Sequence, residues 1–311
     1  MEEYSIERIS REKLADLISI YRAAFGRVIT EEELEKKYDT AFLGQSYVGY
    51  IAYATATREP AAYYGVFPMQ VMLEGQYHLI AQSGDTMTHP RHQGKGLFTR
   101  LAKETYALCR EVGITAVFGF PSESSYPGFV KKLDWKHPEN IQTYTLWVYT
   151  LPLSALLKIR SLAFLYTWWV KFVLLFYKRG KLFQSSVARY QSQYIYRSEA
   201  FWAYKLRNTT NQCICIAGKN VILKNGIMLG IGDIDGSGAD NFDSVLKGIK
   251  RLAFFLGNPR ISFYVSPTVP LDTYLKKKFK VRQGLAVGYL NFSEAVDLAP
   301  LKYTYFDFDT F

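Results

Sequence analysis

The stretch His89 to Leu101, HPRHQGKGLFTRL, places Gln93, Gly94, Lys95 and Gly96 directly ahead of a run with strong helical periodicity. A helix N-terminus offers unpaired backbone N–H groups and the positive end of the helix dipole. Glycine removes the Cβ that would hold a bulky anion off the backbone. Gly94 and Gly96 therefore let successive N–H groups turn inward, while Gln93 donates through its amide and Lys95 adds charge. These residue types at this spacing suit capture of a phosphate or pyrophosphate. Two other phosphate patterns do not fit, since the chain has no GxxxxGK[ST] and no GxGxxG with an acidic residue after the next strand. A plain tight turn with a solvated lysine is the bland alternative, and the position between a strand and an amphipathic helix argues against it. His89 and His92 flank the turn and read as surface polar residues or as further phosphate contacts. No metal is expected, because His78, His89, His92 and His137 are scattered and no Cys-x-x-Cys pair accompanies them.

The elements that must position this turn are legible on both sides of it. Leu14, Leu17, Ile18, Tyr21 and Phe25 recur at helical spacing behind Ser10. Residues 46–57 are rich in β-favouring types, and Phe67, Met69, Val71 and Leu73 alternate along the first arm of a hairpin that turns at Glu74-Gly75-Gln76. The second arm ends near Thr88. After the turn, Leu97, Leu101, Thr105, Leu108 and Val112 share one face of a helix that starts at or near Gly96, and a strand follows at 114–120. Strand, turn, helix and strand span a βαβ crossover, so the two strands are expected to run parallel in a mixed α/β layer.

In this setting THPRHQGKGLF resembles the acyl-CoA pyrophosphate loop of the GNAT superfamily of acyltransferases, whose pattern is Gln or Arg, two residues, Gly, one residue, then Gly or Ala. Gln93 and Gly96 fill their places, and Phe98 stands where the last small residue is usual. The resemblance runs from about residue 4 to 148. It includes GFPSESSYPGFVKKLDW at 119–135, where a Lys-Leu-Gly-Phe-like ending becomes Lys132-Leu133-Asp134-Trp135. It implies a partly splayed mixed sheet with acetyl-CoA, or another acyl-CoA, lying between the strand ending near Thr88 and the strand 114–120. Backbone at Met87 and Thr88 would hold the pantetheine arm and acyl carbonyl, and Gln93, Gly94, Lys95, Gly96, Leu97 and Phe98 would bind pyrophosphate. Acyl transfer to an amine needs a base, oxyanion donors and often an acid for the leaving thiolate. The resemblance points to Asp85 as base, directly or through water, with anchoring of a bulged strand as its other reading. The family's usual tyrosine position is Val130, so Tyr126 is the substitute acid, or a packing residue. Ser122, Glu123 and Ser124 face the acceptor amine or form a solvated loop.

The second half repeats the layout more weakly. Short strands run from Cys213 to Ile234, the helical run Phe242, Val245, Leu246, Ile249, Leu252 and Leu256 follows, then RISFYV and a short helix ending LKKKFKV. Gly84-Asp85 and Lys131 are matched by Gly232-Asp233 and Lys276, which suggests a duplicated GNAT-like fold. The second copy replaces the glycine turn by DGSGADNF, and Asp235, Asp240 and Asp243 are expected to repel pyrophosphate. The expected segments are 1–150 with the acyl-CoA loop, a basic apolar helical connector at 151–190, and a degenerate copy at 191–311. The connector has Lys171 inside its apolar run, so it should not span a membrane. It reads as buried helix, or as an interfacial helix over 161–177 with Trp168, Trp169 and Phe172 in lipid.

With 311 residues and a net charge of +10, the chain suits two domains and an anionic ligand, lipid surface or nucleic acid. Cys109, Cys213 and Cys215 cannot form a disulfide framework and the N-terminus is charged from the second residue, which points to the cytoplasm, with contact at the inner membrane face as an option. The reading is an N-acetyltransferase acting on a primary amine of a small molecule or glycan, an amino sugar being one candidate. The alternatives are a transferase of the paired GNAT-like type that takes an aminoacyl group from transfer RNA, and a non-catalytic acyl-CoA or membrane-binding module. The Gln93 to Gly96 loop argues against nucleic acid as the partner.

Overall fold

The computed structural model describes residues 3–159, 161–236 and 241–311. The chain forms two compact units that interleave in sequence: Met1–Pro138 with Leu285–Pro300, and Glu139–Gly284 with Leu301–Phe311. The consecutive segments read from the sequence differ from this division, because each half sends its last strand into the other unit's residue set.

In the first unit the order is β1 (Tyr4–Arg8), α1 (Leu14–Phe25), α2 (Glu31–Tyr38), β2 (Val48–Ala54), β3 (Pro60–Leu73), β4 (Gln76–Thr88), α3 (Leu97–Glu111), β5 (Ala116–Gly119) and α4 (Tyr126–Lys132). Next come β6 (Lys136–Trp147), α5 (Ala163–Leu174), β7 (Tyr194–Ile195), α6 (Glu199–Leu206), β8 (Asn211–Ile216), β9 (Lys219–Lys224), β10 (Leu229–Ile234), α7 (Phe242–Leu256), β11 (Arg260–Val265), α8 (Pro270–Lys276) and β12 (Arg282–Asn291). The first unit's sheet runs β1, β2, β3, β4, β5, β12, with β4 and β5 parallel and the other pairs antiparallel. The second unit's sheet runs β8, β9, β10, β11, β6, with β10 and β11 parallel. The mixed α/β class read from the sequence is the one observed. Each parallel pair is joined by a fifteen-residue helix, α3 or α7, which is what a crossover requires.

Period-two alternation places the first unit's core on both faces of its sheet. Tyr63, Phe67 and Met87 point to α1 and α2, together with Leu14, Leu17, Ile20 and Leu34. Tyr64, Val66 and Ala81 point to α3, which buries Leu97, Leu101, Ala102, Thr105 and Tyr106. Cys109 lies in that core, where burial pushes its thiol up to about 12, a packing cysteine and not a nucleophile. The β3–β4 hairpin turns through Glu74 at φ 47° and Gly75 at φ 84°, the left-handed pair that matches strand twist.

Two sequence expectations change. Ser10 makes no side-chain cap, and a short 3-10 turn at Arg11–Lys13 precedes α1. The connector is not buried all round: α5 seats Tyr166, Val170 and Val173 in the second unit's core, while Phe164, Trp168 and Phe172 remain exposed. Among the described residues no helix is long and apolar enough to cross a membrane. Asp240 lies outside the described residues.

Candidate acyl-CoA and catalytic site

The site begins where β4 outruns its neighbour. β4 pairs with β5 only at Ala81 with Val117, Gln82 with Phe118 and Ser83 with Gly119, and β5 then ends while β4 continues to Thr88. On the opposite edge β4 stays bound to β3 through a bulge: Gly65 faces Gly84 and Tyr63 faces Met87, leaving Asp85 and Thr86 across from Tyr64. Asp85 carries φ 52°, a left-handed residue of the kind that bulges use to re-aim a strand. His89 N–H donates to Ala61 O at 2.8 Å. Antiparallel alternation therefore turns Thr88's backbone polar groups away from β3, toward the edge that β5 does not reach. The Met87 side chain is buried under α1 and α2.

The end of the parallel pairing is fixed by packing. A Cβ on Gly119 would lie 3.3 Å from Trp135, and one on Gly288 would lie 2.6 Å from it, so the indole rests on bare backbone of β5 and β12. Its Nε1 donates to Tyr106 Oη at 2.9 Å, Tyr106 and Tyr64 share a 2.8 Å hydrogen bond, and Ser83 donates to Tyr64 Oη at 2.9 Å. This buried chain runs beneath α3 to the last paired residue of β4. Burial holds the Tyr64 phenol well above its ordinary range, so these hydroxyls are fixed donors and acceptors. Asp134 adopts φ 56° at the place where the Lys-Leu-Gly-Phe-like ending carries glycine.

The glycine turn lies beyond Thr88. Pro90–His92 form a 3-10 turn and Gln93 is extended. Gly94 and Gly96 have φ 77° and 74°, and Gly96 is the N-cap of α3, with no side-chain cap hydrogen bond. The first-turn N–H groups are therefore left to an incoming acceptor, and the donor set fits a pyrophosphate. No atom lies within 4 Å of a Cβ built on either glycine; both are required by conformation. Gln93, Gly94, Lys95 and Gly96 are exposed, and Leu97 is buried. Lys95 pairs with Glu3 at 3.2 Å, which raises its pKa.

Phe98 solves the steric problem of a large residue in a small-residue position by turning onto aromatic neighbours. Its ring meets Phe129 edge-on at 5.1 Å and Tyr64 at 6.0 Å. Room comes from Gly128, where a Cβ would sit 2.8 Å from the Phe98 ring. Gly128→Ala is expected to cost about 1–3 kcal/mol of stability through overpacking, and Phe98→Leu in the same chain should recover most of it, both read by urea unfolding.

The histidines expected to be scattered are partly brought together. His89, His92 and Glu59 place one ligand atom each within 4.8 Å of one another, with His92 Nε2 3.6 Å and His89 Nε2 3.8 Å from Glu59. Such a set could hold a cation. Glu59 pairs with Arg91, His89 Nδ1 accepts from Arg91 N–H at 3.2 Å and His92 Nδ1 bonds Tyr4 Oη at 3.0 Å, while His92 Nε2 is buried with no hydrogen-bond partner. The cluster braces the 3-10 turn against the start of β3 and against β1.

The remaining candidates have separate partners. Asp85 accepts from Lys37 Nζ at 2.8 Å and from Tyr38 Oη at 3.0 Å. Both partners lie on α2, a helix missed from sequence, although its signal was present: Thr30 and Glu33 form a reciprocal capping box of the pattern that marks helix starts. Tyr126 Oη bonds His137 Nδ1 at 2.8 Å, with the rings edge-on, so its hydroxyl has a proton partner that the sequence did not reveal. Ser122 Oγ meets Ser124 Oγ at 3.0 Å and Ser125 Oγ at 3.1 Å, a hydroxyl-braced turn leading into α4, and Glu123 is exposed beside them.

In the second unit the counterpart carboxylate is sealed. β10 is irregular between Ile231 and Asp233. Asp233 is fully buried against Arg197 at 2.7 Å, and Asp307 binds the same guanidinium at 2.9 Å. α7 starts from Asn241 at φ 73°, as α3 starts from Gly96. Asp235 is paired with Arg189 and Asp243 with Lys278.

Comparison with known proteins agrees with this geometry. A family model described as an acetyltransferase (GNAT) domain matches residues 5–137. GCN5-related N-acetyltransferases from Kribbella flavida and Anabaena variabilis align with TM-scores of 0.57 and 0.56 at 12% and 14% identity, over 92% and 93% of this chain and 70% and 73% of theirs. A structure from Pyrococcus horikoshii aligns over 98% of this chain and 94% of its own, with a TM-score of 0.57 and 12% identity. No curated protein matches by sequence.

Proposed function

We propose that the protein transfers an acetyl group from acetyl-CoA to a primary amine through its first unit, in which residues 5–137 match a family model described as an acetyltransferase (GNAT) domain. The observation that carries the reading is the alignment of three features along one strand. β4 outruns β5, which leaves its backbone edge unpaired by β5 beyond Ser83, its bulge places Asp85 within that length, and its end leads to the left-handed glycine turn at the N-terminus of α3. Acetyl-CoA would lie along that edge. Its pyrophosphate would meet the N–H groups from Gly94 to Phe98 with Gln93 and Lys95 beside them, and its acyl carbonyl would accept from the backbone near Met87 and Thr88.

The acceptor amine attacks the thioester carbonyl, forming the C–N bond. Asp85 takes the amine proton through water, and the C–S bond then breaks. Tyr126 protonates the departing thiolate and recovers its proton through His137. Ser122, Glu123 and Ser124 would bound the acceptor. In the second unit the burial of Asp233 against Arg197 supports a supporting role without acyl-CoA.

The test is calorimetric titration with acetyl-CoA, followed by a thiol-release assay across primary amines that include amino sugars. Saturable binding and amine-dependent release of CoA support the proposal. Binding without turnover of any amine would favour the non-catalytic module, and no binding would sink the acyl-CoA reading.

A further inference from the structure

We propose that α5 and the residues around it form a docking surface for an anionic phospholipid membrane, with the helix lying in the interface plane. The inference is independent of the acyl-transfer reading. A helix that is apolar on nearly every face is ordinarily buried, yet only Tyr166, Val170 and Val173 of α5 are. These three share a face, and Tyr166 Oη is locked to Asn258 by a 2.8 Å hydrogen bond. The opposite arc carries Phe164 at 66% exposure, Trp168 at 67% and Phe172 at 40%, continued by Leu175 at 79% and Phe176 at 77%. Positions 164, 168, 172 and 176 follow the four-residue spacing of one helical stripe. Trp168 and Phe172 stack at 6.1 Å, and Phe176 packs edge-on to Phe172 at 5.5 Å.

The patch extends beyond the helix. Trp169 Nε1 donates to Phe255 O at 2.8 Å, which sets the exposed Phe254 and Phe255 beside α5. An exposed aromatic surface of this kind marks an interaction site.

Charge selects the occupant. From Glu139 to Glu199 the chain has no intervening Asp or Glu, while Lys158, Lys171, Lys178, Arg179 and Lys181 are exposed. Arg251 lies over the Phe255 ring at 5.7 Å. Lys171 sits on the exposed arc itself, where its long stem can snorkel with the aromatics inserted. Trp and Phe on one face with lysine and arginine around them is the composition of an interfacial helix on anionic lipid. A second protein copy would present the same cations to one another. The twelve residues of α5 rise only about 18 Å, which suits an in-plane helix and not a span of about 30 Å.

The experiment is vesicle flotation of the full chain. Binding to phosphatidylcholine vesicles holding about 30 mol% phosphatidylglycerol is expected to exceed binding to pure phosphatidylcholine at least about tenfold, and to weaken as salt rises. The double variant Trp168→Glu, Phe172→Glu should reduce binding at least about tenfold, with thermal unfolding unchanged because both side chains are exposed. Absence of wild-type binding to the anionic vesicles overturns the proposal. So does equal binding by the double variant, which would mean that basic residues act without the aromatic face. A wild-type dimer that the double variant converts to monomer, with no vesicle binding by either, would reassign the surface to self-association.

Discussion

The Gly96→Glu variant is expected to bind acetyl-CoA at least about a hundredfold more weakly than wild type, with the fold intact. Two separable effects combine. Gly96 has φ 74°, a conformation that costs a residue with Cβ about 1–2 kcal/mol, so the turn relaxes and its N–H groups cease to converge. A carboxylate then lies beside the pyrophosphate, and like charges about 4 Å apart repel by about 4 kcal/mol near a protein surface. Solution salt screens part of this, which leaves a loss of about two orders of magnitude. Gly96→Ala separates the terms. No neighbour lies within 4 Å of the added Cβ, so it carries the conformational cost alone and should lose about tenfold. Titration calorimetry on both variants is the measurement. Wild-type affinity in Gly96→Glu would remove this turn from the binding site.

The same turn illustrates what could be read before the structure. Its glycines, its place between strand and helix and the helix face from Leu97 to Leu108 are local patterns, and local patterns survive folding. The class of the fold followed from them because a strand, helix and strand in that order must cross over. The interleaving of the two units was not legible. Strands Lys136–Trp147 and Arg282–Asn291 have no internal mark saying which neighbour they pair with, since strand register depends on what lies opposite. Phe98 was read as a departure from the loop pattern, and its accommodation depends on Gly128, thirty positions away. The convergence of His89 and His92 on Glu59 depends on β3 beginning beside the turn. The α5 surface was legible in part, since Trp168, Trp169 and Phe172 were already candidates for a lipid-facing side. Composition showed an apolar basic helix, and only the packing of Tyr166, Val170 and Val173 decided which face is left exposed.

Asp85→Asn is expected to lower kcat at least about a hundredfold, within the range for loss of a general base, while acetyl-CoA affinity stays within about threefold. Asparagine suits the test because it tolerates the left-handed backbone that Asp85 adopts at φ 52°, so the bulge is kept and only the charge and basicity are lost. The competing role is structural, since Asp85 holds α2 through Lys37 and Tyr38. Lys37→Met distinguishes them. It breaks the ion pair at 2.8 Å but leaves a carboxylate that still accepts from Tyr38. A carboxylate has about four acceptor positions and these two partners fill about half of them, so a water can still be bound for proton transfer. If Asp85 is the base, Lys37→Met retains most of kcat, whereas Asp85→Asn loses it. If Asp85 only anchors α2, the two variants lose stability and activity together. Equal kcat in Asp85→Asn and wild type would remove Asp85 from the chemistry and transfer the search for the base to the Tyr126–His137 pair.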